Sequence, residues 1–225
     1  MTTAAIILAA GRSTRMGRCK ASLPWIEGHT LLSYQIAQWQ QVGTWPIVVL
    51  GPHNAHQHLH LDGTQRVINP DPDQGKTHSL RLGLDVLPAN CQLIAIAAID
   101  QPRPAAIYQK LIAAHQSQPC ALTIPVHGQK TGHPVLFSAE LLPRLRQIRE
   151  ETQGLRQIVE ELRCSEVQSD GRSPINRVAI ASSQIHADLN TPAAYQTWLR
   201  RVSLDSGPNP PLEAPNSPGC RGPDC

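Results

Sequence analysis

"AAIILAAGRSTRMGRCK", residues 4–20, joins an apolar run to a basic, glycine-rich segment. The apolar part lacks helical spacing and ends before Gly11, which predicts a short buried β-strand at 4–8 followed by a loop. Main-chain N–H groups of such a loop can surround an anion, and Arg15 and Lys20 can donate charge-assisted hydrogen bonds to phosphate oxygens. The stretch therefore predicts a phosphate site at the end of a strand, with a solvent-exposed basic turn as the alternative.

The spacing of the glycines in this loop (residues 11–20, the glycine loop) excludes two common phosphate-binding motifs. Five residues separate Gly11 from Gly17, and Lys20 follows three places later. A Walker A loop has four intervening residues and a lysine directly after the second glycine, and a dinucleotide fingerprint has glycines at its first, third and sixth places. The loop is therefore of another kind, whose main-chain N–H groups can surround an anion with Arg15 and Lys20 as further donors.

Strand-like and helix-like segments alternate along the chain. Short apolar stretches, most of them rich in β-branched residues, predict strands at 47–51, 66–70, 93–100, 121–126 and 133–137. Apolar residues at helical spacing predict helices at 30–43, 77–87, 104–116 and 139–148. Such alternation predicts an α/β fold with a mainly parallel sheet that is covered on both faces and binds ligands at the carboxyl ends of its strands.

Length, charge and cysteine pattern restrict the class of protein. The chain has 225 residues, of which 40% are hydrophobic, so it can bury the core of one domain. A formal net charge of +3 is too small to favour nucleic acid as a partner. No apolar run approaches the roughly 18 residues of a membrane span, and the first residues lack the basic region of a signal peptide, so we expect a cytoplasmic protein without a membrane partner. Six cysteines without a CxxC pair predict reduced thiols.

The composition changes near residue 203. Residues 203–225 contain six prolines and three glycines and offer no apolar face to bury, which predicts a disordered tail. Cys220 and Cys225 lie in this segment, and we expect inert thiols there rather than a metal site. The prediction is one folded domain over residues 1–202 and a proline- and glycine-rich tail over residues 203–225.

Two further polar clusters follow apparent strands. Asp100 ends the apolar run 93–100, and Asp188 and Asn190 occur in "IHADLNTP". If the strands are parallel neighbours, these side chains meet the glycine loop in one crevice, where the Asp100 carboxylate is well placed to hold Mg²⁺ against a nucleotide phosphate. The alternative interpretation is that Asp100 has no ligand and begins a turn that continues through "QP".

A histidine-rich segment, "HNAHQHLHLDG", contains His53, His56, His58 and His60. Four imidazoles at this spacing could bind a soft divalent metal. Because the segment directly follows a predicted strand and carries no thiol, a polar surface segment is the favoured interpretation.

Five segments in this order resemble the MobA-like nucleotidyltransferases and, within them, the molybdenum cofactor cytidylyltransferases: "LAAGRSTRMGRCKASLPW", "NPDPDQGKTHSLRLGL", "DQP", "GHPVLF" and "DLNTPAAY". The likeness extends over nearly all of residues 4–200. It implies one nucleotide-binding α/β domain, a three-layer sandwich with Rossmann-like topology. The implied reaction is transfer of CMP from CTP to the terminal phosphate of molybdopterin, the pterin of the molybdenum cofactor, with release of pyrophosphate. A molybdenum enzyme that receives the product is a further expected partner.

The same resemblance implies roles for individual residues. Arg15, Lys20 and Asp100 would form the catalytic group, with Mg²⁺ as the cofactor. The nucleotide would be bound by Leu8, Ala9, Ala10, Gly11, Arg15, Gly17, Lys20, Gly75, Ser79 and Leu80, and the metal by Asp100, Asp188 and Asn190. The acceptor would be bound by Gln101, Pro102, Gly132, His133, Pro134 and Arg156. From the residues alone, Ser79 could equally well be an ordinary residue at the start of a helix with no contact to a nucleotide.

Two departures from the family pattern leave the nucleotide and the acceptor open. Asn190 stands where the cytidylyltransferases have an aspartate, and the resulting "NTP" is more typical of the guanylyltransferases of the same superfamily, although Ala10 and "GHPVLF" favour CTP over GTP. A later family element appears as "ETQGLR", which keeps Gly154 and Arg156 but lacks its aspartate. Guanylyl transfer, nucleotidyl transfer to a sugar or alcohol phosphate, and non-catalytic binding or delivery of the molybdenum cofactor are the alternatives.

Overall fold

The structure is a computed structural model and describes residues 1–56, 61–152, 154–164 and 173–205. The strands in these ranges are β1 (Thr3–Ala9), β2 (Trp45–Leu50), β3 (Gln65–Ile68), β4 (Leu93–Ala98), β5 (Leu122–His127), β6 (Lys130–Thr131), β7 (Val135–Ser138) and β8 (Ile175–Ala179). The α-helices are α1 (Leu31–Gln41), α2 (Lys76–Asp85), α3 (Ala105–Ser117), α4 (Leu142–Gln147), α5 (Leu155–Cys164) and α6 (Pro192–Asp205). Each predicted strand and helix has a counterpart of the same kind, with ends shifted by a few residues.

The strands form one eight-stranded sheet in the order β3-β2-β1-β4-β7-β5-β6, and β8 pairs with β5. β1 lies between β2 and β4 and is parallel to both, so that Ile6 stands between Ile47 and Ile96. The pairs β2–β3 and β5–β8 are also parallel. The predicted α/β fold with a mainly parallel sheet is therefore confirmed.

The segment predicted as a strand at 133–137 is a strand that runs antiparallel to both of its neighbours in the sheet. β7 is antiparallel to both β4 and β5, and it begins at Val135, after a cis peptide bond between His133 and Pro134. Only residues 128–134 connect β5 to β7, whereas a parallel crossover needs about a dozen residues or more. The short connection therefore imposes the antiparallel direction.

Helices cover both faces of the sheet. Along β1, Ala5 and Ile7 point into the core formed with α1, α3 and α6, while Ala4 and Ile6 point into the core formed with α2, α4 and α5. All four side chains are fully buried, as the period-two alternation of a strand covered on both sides requires. The three-layer sandwich is therefore confirmed.

Helix α2 lies very close to β1. A Cβ atom at Gly83 would be 2.7 Å from Cγ2 of Ile6, so the contact requires glycine. Because α2 connects the parallel strands β3 and β4, it runs against the strand direction and begins at the carboxyl edge of the sheet. Its first residues are thereby brought to the edge where β1 ends.

The sequence prediction did not include β6, β8, α5 or α6. Helix α6 continues to Asp205, so residues 203–205, which the sequence assigns to the tail, are helical; the Ser203 hydroxyl donates to the Leu199 carbonyl one turn earlier. Residues 206–225, with Cys220 and Cys225, lie outside the described residues, and the rest of the tail prediction stays a prediction. In the described ranges, no helix is both long and apolar enough to cross a membrane.

Candidate active site

A cavity of about 250 Å³ opens at the carboxyl ends of β1 and β4. The end of β1 and the glycine loop contribute Leu8, Ala10, Gly11, Ser13, Thr14, Arg15, Met16 and Lys20 to its wall. The start of α2 and the turn before it contribute Pro72, Gly75, Lys76 and Ser79, and the end of β4 and the segment before α6 contribute Ala98, Ile99, Asp100 and Asn190. The glycine loop and Asp100 therefore converge on one cavity, because β1 and β4 are parallel neighbours. Asn190 joins them, whereas Asp188 is not in the wall. The expectation that Asp188 and Asn190 follow a strand was wrong, because the 3-10 turn Ser183–His186 precedes them.

The glycine loop is shaped by two residues in the left-handed region. A 3-10 turn, Thr14–Met16, is flanked by Ser13 with φ of +53° and Gly17 with φ of +64°. Glycine adopts this conformation freely, whereas a serine there stores backbone strain of order 1 kcal/mol. The Ser13 hydroxyl oxygen accepts a hydrogen bond from the main-chain N–H of Lys20 at 3.4 Å. This contact ties the turn to the lysine that follows it.

Lys20 connects the glycine loop to the end of β4 and to the segment before α6. Its Nζ donates to Oδ2 of Asp100 at 2.7 Å and to Oδ1 of Asn190 at 2.8 Å. Lys20 and Asp100 are each 8% exposed. The main-chain N–H of Leu189 also donates to the Asp100 carbonyl oxygen at 2.9 Å. One ammonium group is thus held between a carboxylate oxygen and an amide oxygen inside the cavity.

Asp188 lies beside this group and stays exposed to solvent. The Asn190 side-chain amide donates to Oδ1 of Asp188. Desolvation and, next, the negative charge of Asp100 raise the pKa of Asp188, while the charge of Lys20 opposes the shift. The two carboxylates are therefore close enough to repel each other, and such a pair favours a cation between or beside them.

The opposite wall of the cavity is the beginning of α2. Gly75 has φ of +91°, and a Cβ atom there would lie 2.7 Å from the carboxyl carbon of Glu150, so this position requires glycine. Ser79 lines the cavity, and its hydroxyl oxygen accepts a hydrogen bond at 2.8 Å from Nδ2 of the fully buried Asn69. The Ser79 hydroxyl is thereby held in place with its own proton free to turn toward a ligand.

Three of the predicted nucleotide-binding residues do not place side chains in the cavity. Ala9 packs in the core with α1, and Leu80 packs between α2 and the sheet. Gly17 lies on the exposed side of the glycine loop. For Ala9 and Leu80 the cause is geometric, because every second strand residue and the inner face of a covering helix must fill the core.

The predicted acceptor-binding residues lie outside the wall of the cavity. They are Gln101 and Pro102 after β4, Gly132, His133 and Pro134 before β7, and Arg156 on α5. His133 keeps exposed surface, yet desolvation and, next, the positive charge of Arg103 lower its pKa to about 4, so its imidazole is neutral at pH 7. The charge of Arg156 acts in the same direction. The charge of Asp100 opposes this shift, so Asp100, His133 and Arg156 lie near enough to influence one another. Pro102 and Gly132 are buried.

The histidine-rich segment is only partly described. His53 and His56 are described, whereas His58 and His60 lie outside the described residues. Within the described ranges, no three His, Cys, Asp or Glu side chains gather as a candidate metal site. Both interpretations of the segment stay predictions.

Sequence reasoning missed three polar residues that shape the cavity. Lys76 follows Gly75 and adds a cation to the wall. Asn54, 1% exposed, donates from Nδ2 to the carbonyl oxygen of Ala9 at 2.9 Å and accepts from the main-chain N–H of Gly51 at 2.9 Å, so it ties the ends of β1 and β2 together. Asn69 donates from Nδ2 to the Ser79 hydroxyl and holds it in place. Asn54 and Asn69 follow strand ends closely, and that position is the signal that could have found them.

Residues 5–167 match the MobA-like NTP transferase domain. The molybdenum cofactor cytidylyltransferase of Escherichia coli is 27% identical over 206 residues, which cover 88% of this chain and 96% of that protein. Bifunctional protein GlmU of Trichlorobacter lovleyi is 30% identical over 127 residues, which cover 54% of this chain and 28% of that protein. The second match therefore spans less than a third of that relative.

Solved structures share the fold. The crystal structure of Rv0371c from Mycobacterium tuberculosis has a TM-score of 0.73 at 24% identity, covering 89% of this chain and 98% of that one. The manganese complex of Rv0371c has a TM-score of 0.69 at 24% identity, with 89% and 99% covered. CMP:2-keto-3-deoxy-manno-octonic acid synthetase complexed with CTP has a TM-score of 0.69 at 12% identity, with 91% and 100% covered.

Proposed function

The chain belongs to the MobA-like NTP transferase family, and from that membership we propose that it transfers CMP from CTP to the terminal phosphate of molybdopterin and releases pyrophosphate. Family and fold support nucleotidyl transfer as the general activity. The observation that carries the proposal is the convergence of Lys20, Asp100 and Asn190 in a cavity lined by the glycine loop. The similarity to the cytidylyltransferase of E. coli over most of both chains supports the choice of nucleotide and acceptor.

This chemistry makes few demands on general acids and bases. A phosphate monoester is largely ionised near neutral pH, so its oxygen is already a nucleophile. A bond forms between this oxygen and the α-phosphorus of CTP, and the bond to the leaving pyrophosphate breaks. The protein then has to align the α-phosphorus with the attacking oxygen and to stabilise the negative charge that grows on the pyrophosphate.

Three cations and the beginning of α2 line the part of the cavity that suits a triphosphate. Arg15, Lys20 and Lys76 are in its wall, and charge-assisted hydrogen bonds from such groups hold phosphate oxygens. The start of α2 adds the positive end of a helix dipole. We assign Arg15 and Lys20 to the triphosphate and the main chain around Gly11 to close contact with it.

A divalent cation fits the oxygen donors around Lys20. Oδ2 of Asp100 and Oδ1 of Asn190 already converge on one cationic atom, and Asp188 is adjacent. Carboxylate and amide oxygens are the ligands that Mg²⁺ prefers, so these three side chains would hold the ion. When bound, the ion would supply positive charge to the triphosphate and the pyrophosphate. The manganese complex of Rv0371c, a protein of the same fold, supports a divalent ion in general.

The acceptor is assigned to the residues beside Asp100. Gln101 follows Asp100 directly, and the neutral imidazole of His133 can both donate and accept hydrogen bonds. Arg156 carries a positive charge that suits a phosphate. With the nucleotide on the glycine-loop side, this arrangement would bring the acceptor phosphate to the α-phosphorus from the Asp100 side.

A pyrophosphate-release assay tests the proposal. The purified protein is incubated with Mg²⁺ and each of ATP, CTP, GTP and UTP, with and without the molybdenum cofactor. We expect release only when CTP and the cofactor are present together, and we expect the Asp100→Asn variant to lose it. Release with GTP instead would indicate guanylyl transfer, and release with a sugar or alcohol phosphate alone would indicate another acceptor. Binding of the cofactor without release from any nucleotide would indicate a binding or delivery protein.

A further inference from the structure

Arg103 is a buried cation in the loop between β4 and α3. It is 1% exposed, and its guanidinium donates to four main-chain carbonyl oxygens. These belong to Pro102 at 2.9 Å, His133 at 3.3 Å, Ile185 at 3.0 Å and Ala187 at 2.8 Å. Burial lowers the pKa of Arg103 to about 10, so the group stays charged at pH 7.

The four carbonyls belong to three segments that carry site residues. The first runs from Asp100 through Pro102, and the second holds His133 before β7. The third leads from Ala187 directly into Asp188 and Asn190. The guanidinium therefore lies where these three segments meet. Together they carry every residue assigned to the metal, and every residue assigned to the acceptor except Arg156 of α5.

These segments also contact one another directly. The main-chain N–H of His133 donates to the Ile185 carbonyl oxygen at 3.0 Å, and that of Leu189 donates to the Asp100 carbonyl oxygen at 2.9 Å. A Cβ atom at Gly132 would be 2.6 Å from the Ile185 carbonyl oxygen. With so little free space at this junction, a shift of one segment has to move the others.

The chemistry of the junction suits arginine rather than lysine. Arginine offers five N–H donors in a rigid planar fork, and here they reach carbonyls in several directions at once. An ammonium group is a compact charge with three donors on a flexible chain, so it would satisfy fewer of these buried carbonyls and hold them less firmly. A neutral glutamine has only two N–H donors, so at least two of the four carbonyls would lose theirs.

We propose that Arg103 is a positioning residue for nucleotidyl transfer: it fixes Asp188 and Asn190 relative to Asp100, so that their oxygens are held in place for the metal. This inference rests on the proposed function. Arg103 is absent from the residues that line the nucleotide cavity, so its loss should leave the binding of CTP in the absence of metal nearly unchanged. Its loss should instead weaken metal binding and slow the transfer step.

The test uses the full chain with Arg103→Lys and Arg103→Gln. Thr123→Val is the matched control, because Thr123 is a fully buried residue whose hydroxyl contacts Nδ1 of His115 at 2.9 Å near the amino end of β5, away from the cavity. Mn²⁺ binding without nucleotide is measured by electron paramagnetic resonance, CTP binding by calorimetry, and kcat and KM by pyrophosphate release. Circular dichroism checks the fold of each variant.

For Arg103→Gln we expect about tenfold weaker Mn²⁺ binding and a kcat at least about tenfold lower, the usual effect of losing a group that orients metal ligands. At saturating Mg²⁺, where the metal site is filled, the KM for CTP should change by less than about threefold, and Arg103→Lys should recover part of both losses. Folded variants with Mn²⁺ affinity and kcat within twofold of the wild type would overturn the proposal. So would an equal loss in Thr123→Val, or failure of both Arg103 variants to fold. Arg103-dependent Mn²⁺ binding in a wild-type protein that releases no pyrophosphate would support the positioning of the metal ligands by Arg103 and contradict the proposed function alone.

Discussion

Lys20 and Asp100 form an ion pair that is almost completely withdrawn from water, with Nζ and Oδ2 2.7 Å apart and side-chain exposures of 10% and 11%. The pair joins two loops that are eighty positions apart in the sequence. A charge in such a place is tolerated because its partner compensates for the loss of hydration. Each member therefore has a structural role in addition to the role that we propose for it in nucleotide transfer.

A double-mutant cycle measures this structural role. Lys20→Met leaves the Asp100 carboxylate buried without its cation, and we expect a loss of about 3 kcal/mol in the free energy of unfolding. Asp100→Leu should cost a similar amount for the corresponding reason. The double variant should cost much less than the sum, because two apolar side chains replace a buried pair with little net loss. Urea unfolding of the four proteins gives the coupling energy.

The control for this cycle is the exposed ion pair between Arg144 of α4 and Glu161 of α5, whose side chains are 43% and 48% exposed. Arg144→Ala should cost no more than about 1 kcal/mol. Additive costs for Lys20 and Asp100, or costs as small as that of Arg144→Ala, would show that the two residues do not depend on each other for stability.

Two arginines of the glycine loop allow a matched comparison of nucleotide binding. Arg15 lines the cavity, whereas Arg12 pairs with Asp73, with both of those side chains more than half exposed. We expect Arg15→Ala to weaken CTP binding about tenfold, since a lost charge-assisted hydrogen bond costs about 1.5 kcal/mol or more. Arg12→Ala should change the affinity by less than about threefold. Calorimetry with CTP and Mg²⁺ checks both, and equal effects would contradict the assignment of Arg15.

The raised pKa of Asp188 leads to a prediction about stability and pH. A carboxyl whose pKa is higher in the folded than in the unfolded protein is destabilising while it is ionised, and this cost vanishes once it is protonated in both states. Asp188→Asn should therefore raise the melting temperature at pH 7. Because Asp188 is exposed, the gain should be only a few tenths of a kcal/mol, or about 1 °C.

Differential scanning calorimetry of the wild type and Asp188→Asn at pH 7 and below pH 3.8 tests whether the variant has the higher melting temperature at pH 7. The difference in melting temperature should shrink as the pH falls through the raised pKa toward the ordinary value of 3.8. The same variant should bind Mn²⁺ more weakly, because a charged oxygen ligand is lost. A melting temperature lower than that of the wild type at pH 7 would show that Asp188 stabilises the fold.

The central part of the site could be predicted from sequence because it depends on strand order alone. A glycine-rich loop and an aspartate that each follow a buried strand must meet if the strands are parallel neighbours, and β1 and β4 are such neighbours. The direction of β7 was also accessible in principle, because the few residues that connect it to β5 exclude a parallel crossover. Both inferences use chain connectivity and no side-chain detail.

The rest of the site depends on contacts between segments that are distant in sequence. Arg103 binds carbonyls more than eighty positions away, and Asn54 joins the ends of two strands. Neither residue belongs to a periodic pattern, so hydrophobic spacing carries no signal for them. The placement of Ala9 in the core and Ala10 in the cavity follows from strand alternation only once the last residue of β1 is known.

The preference for one base over another depends on Ala10. Its side chain lines the cavity at the end of β1 and is 2% exposed, so its methyl group occupies space that glycine would leave empty. A cytosine is smaller than a guanine by a whole ring, and we expect the narrower pocket to favour CTP. Steric differences of this size change specificity by roughly tenfold or more. Ala10→Gly should therefore lower the ratio of kcat/KM for CTP to that for GTP about tenfold.

The matched control is Ala97→Gly on the neighbouring strand β4, where the methyl group packs in the core and not in the cavity. Both variants place a glycine in a central strand or at its end, so both lower stability through the same loss of packing and gain of backbone freedom. Only Ala10→Gly should change the ratio of kcat/KM for CTP to that for GTP, because only that variant changes the wall of the cavity.

A wild-type preference for GTP would mean that Asn190, which resembles the guanylyltransferase pattern, predicts the nucleotide better than Ala10 does. A ratio that moves equally in both variants would mean that the base does not lie against Ala10.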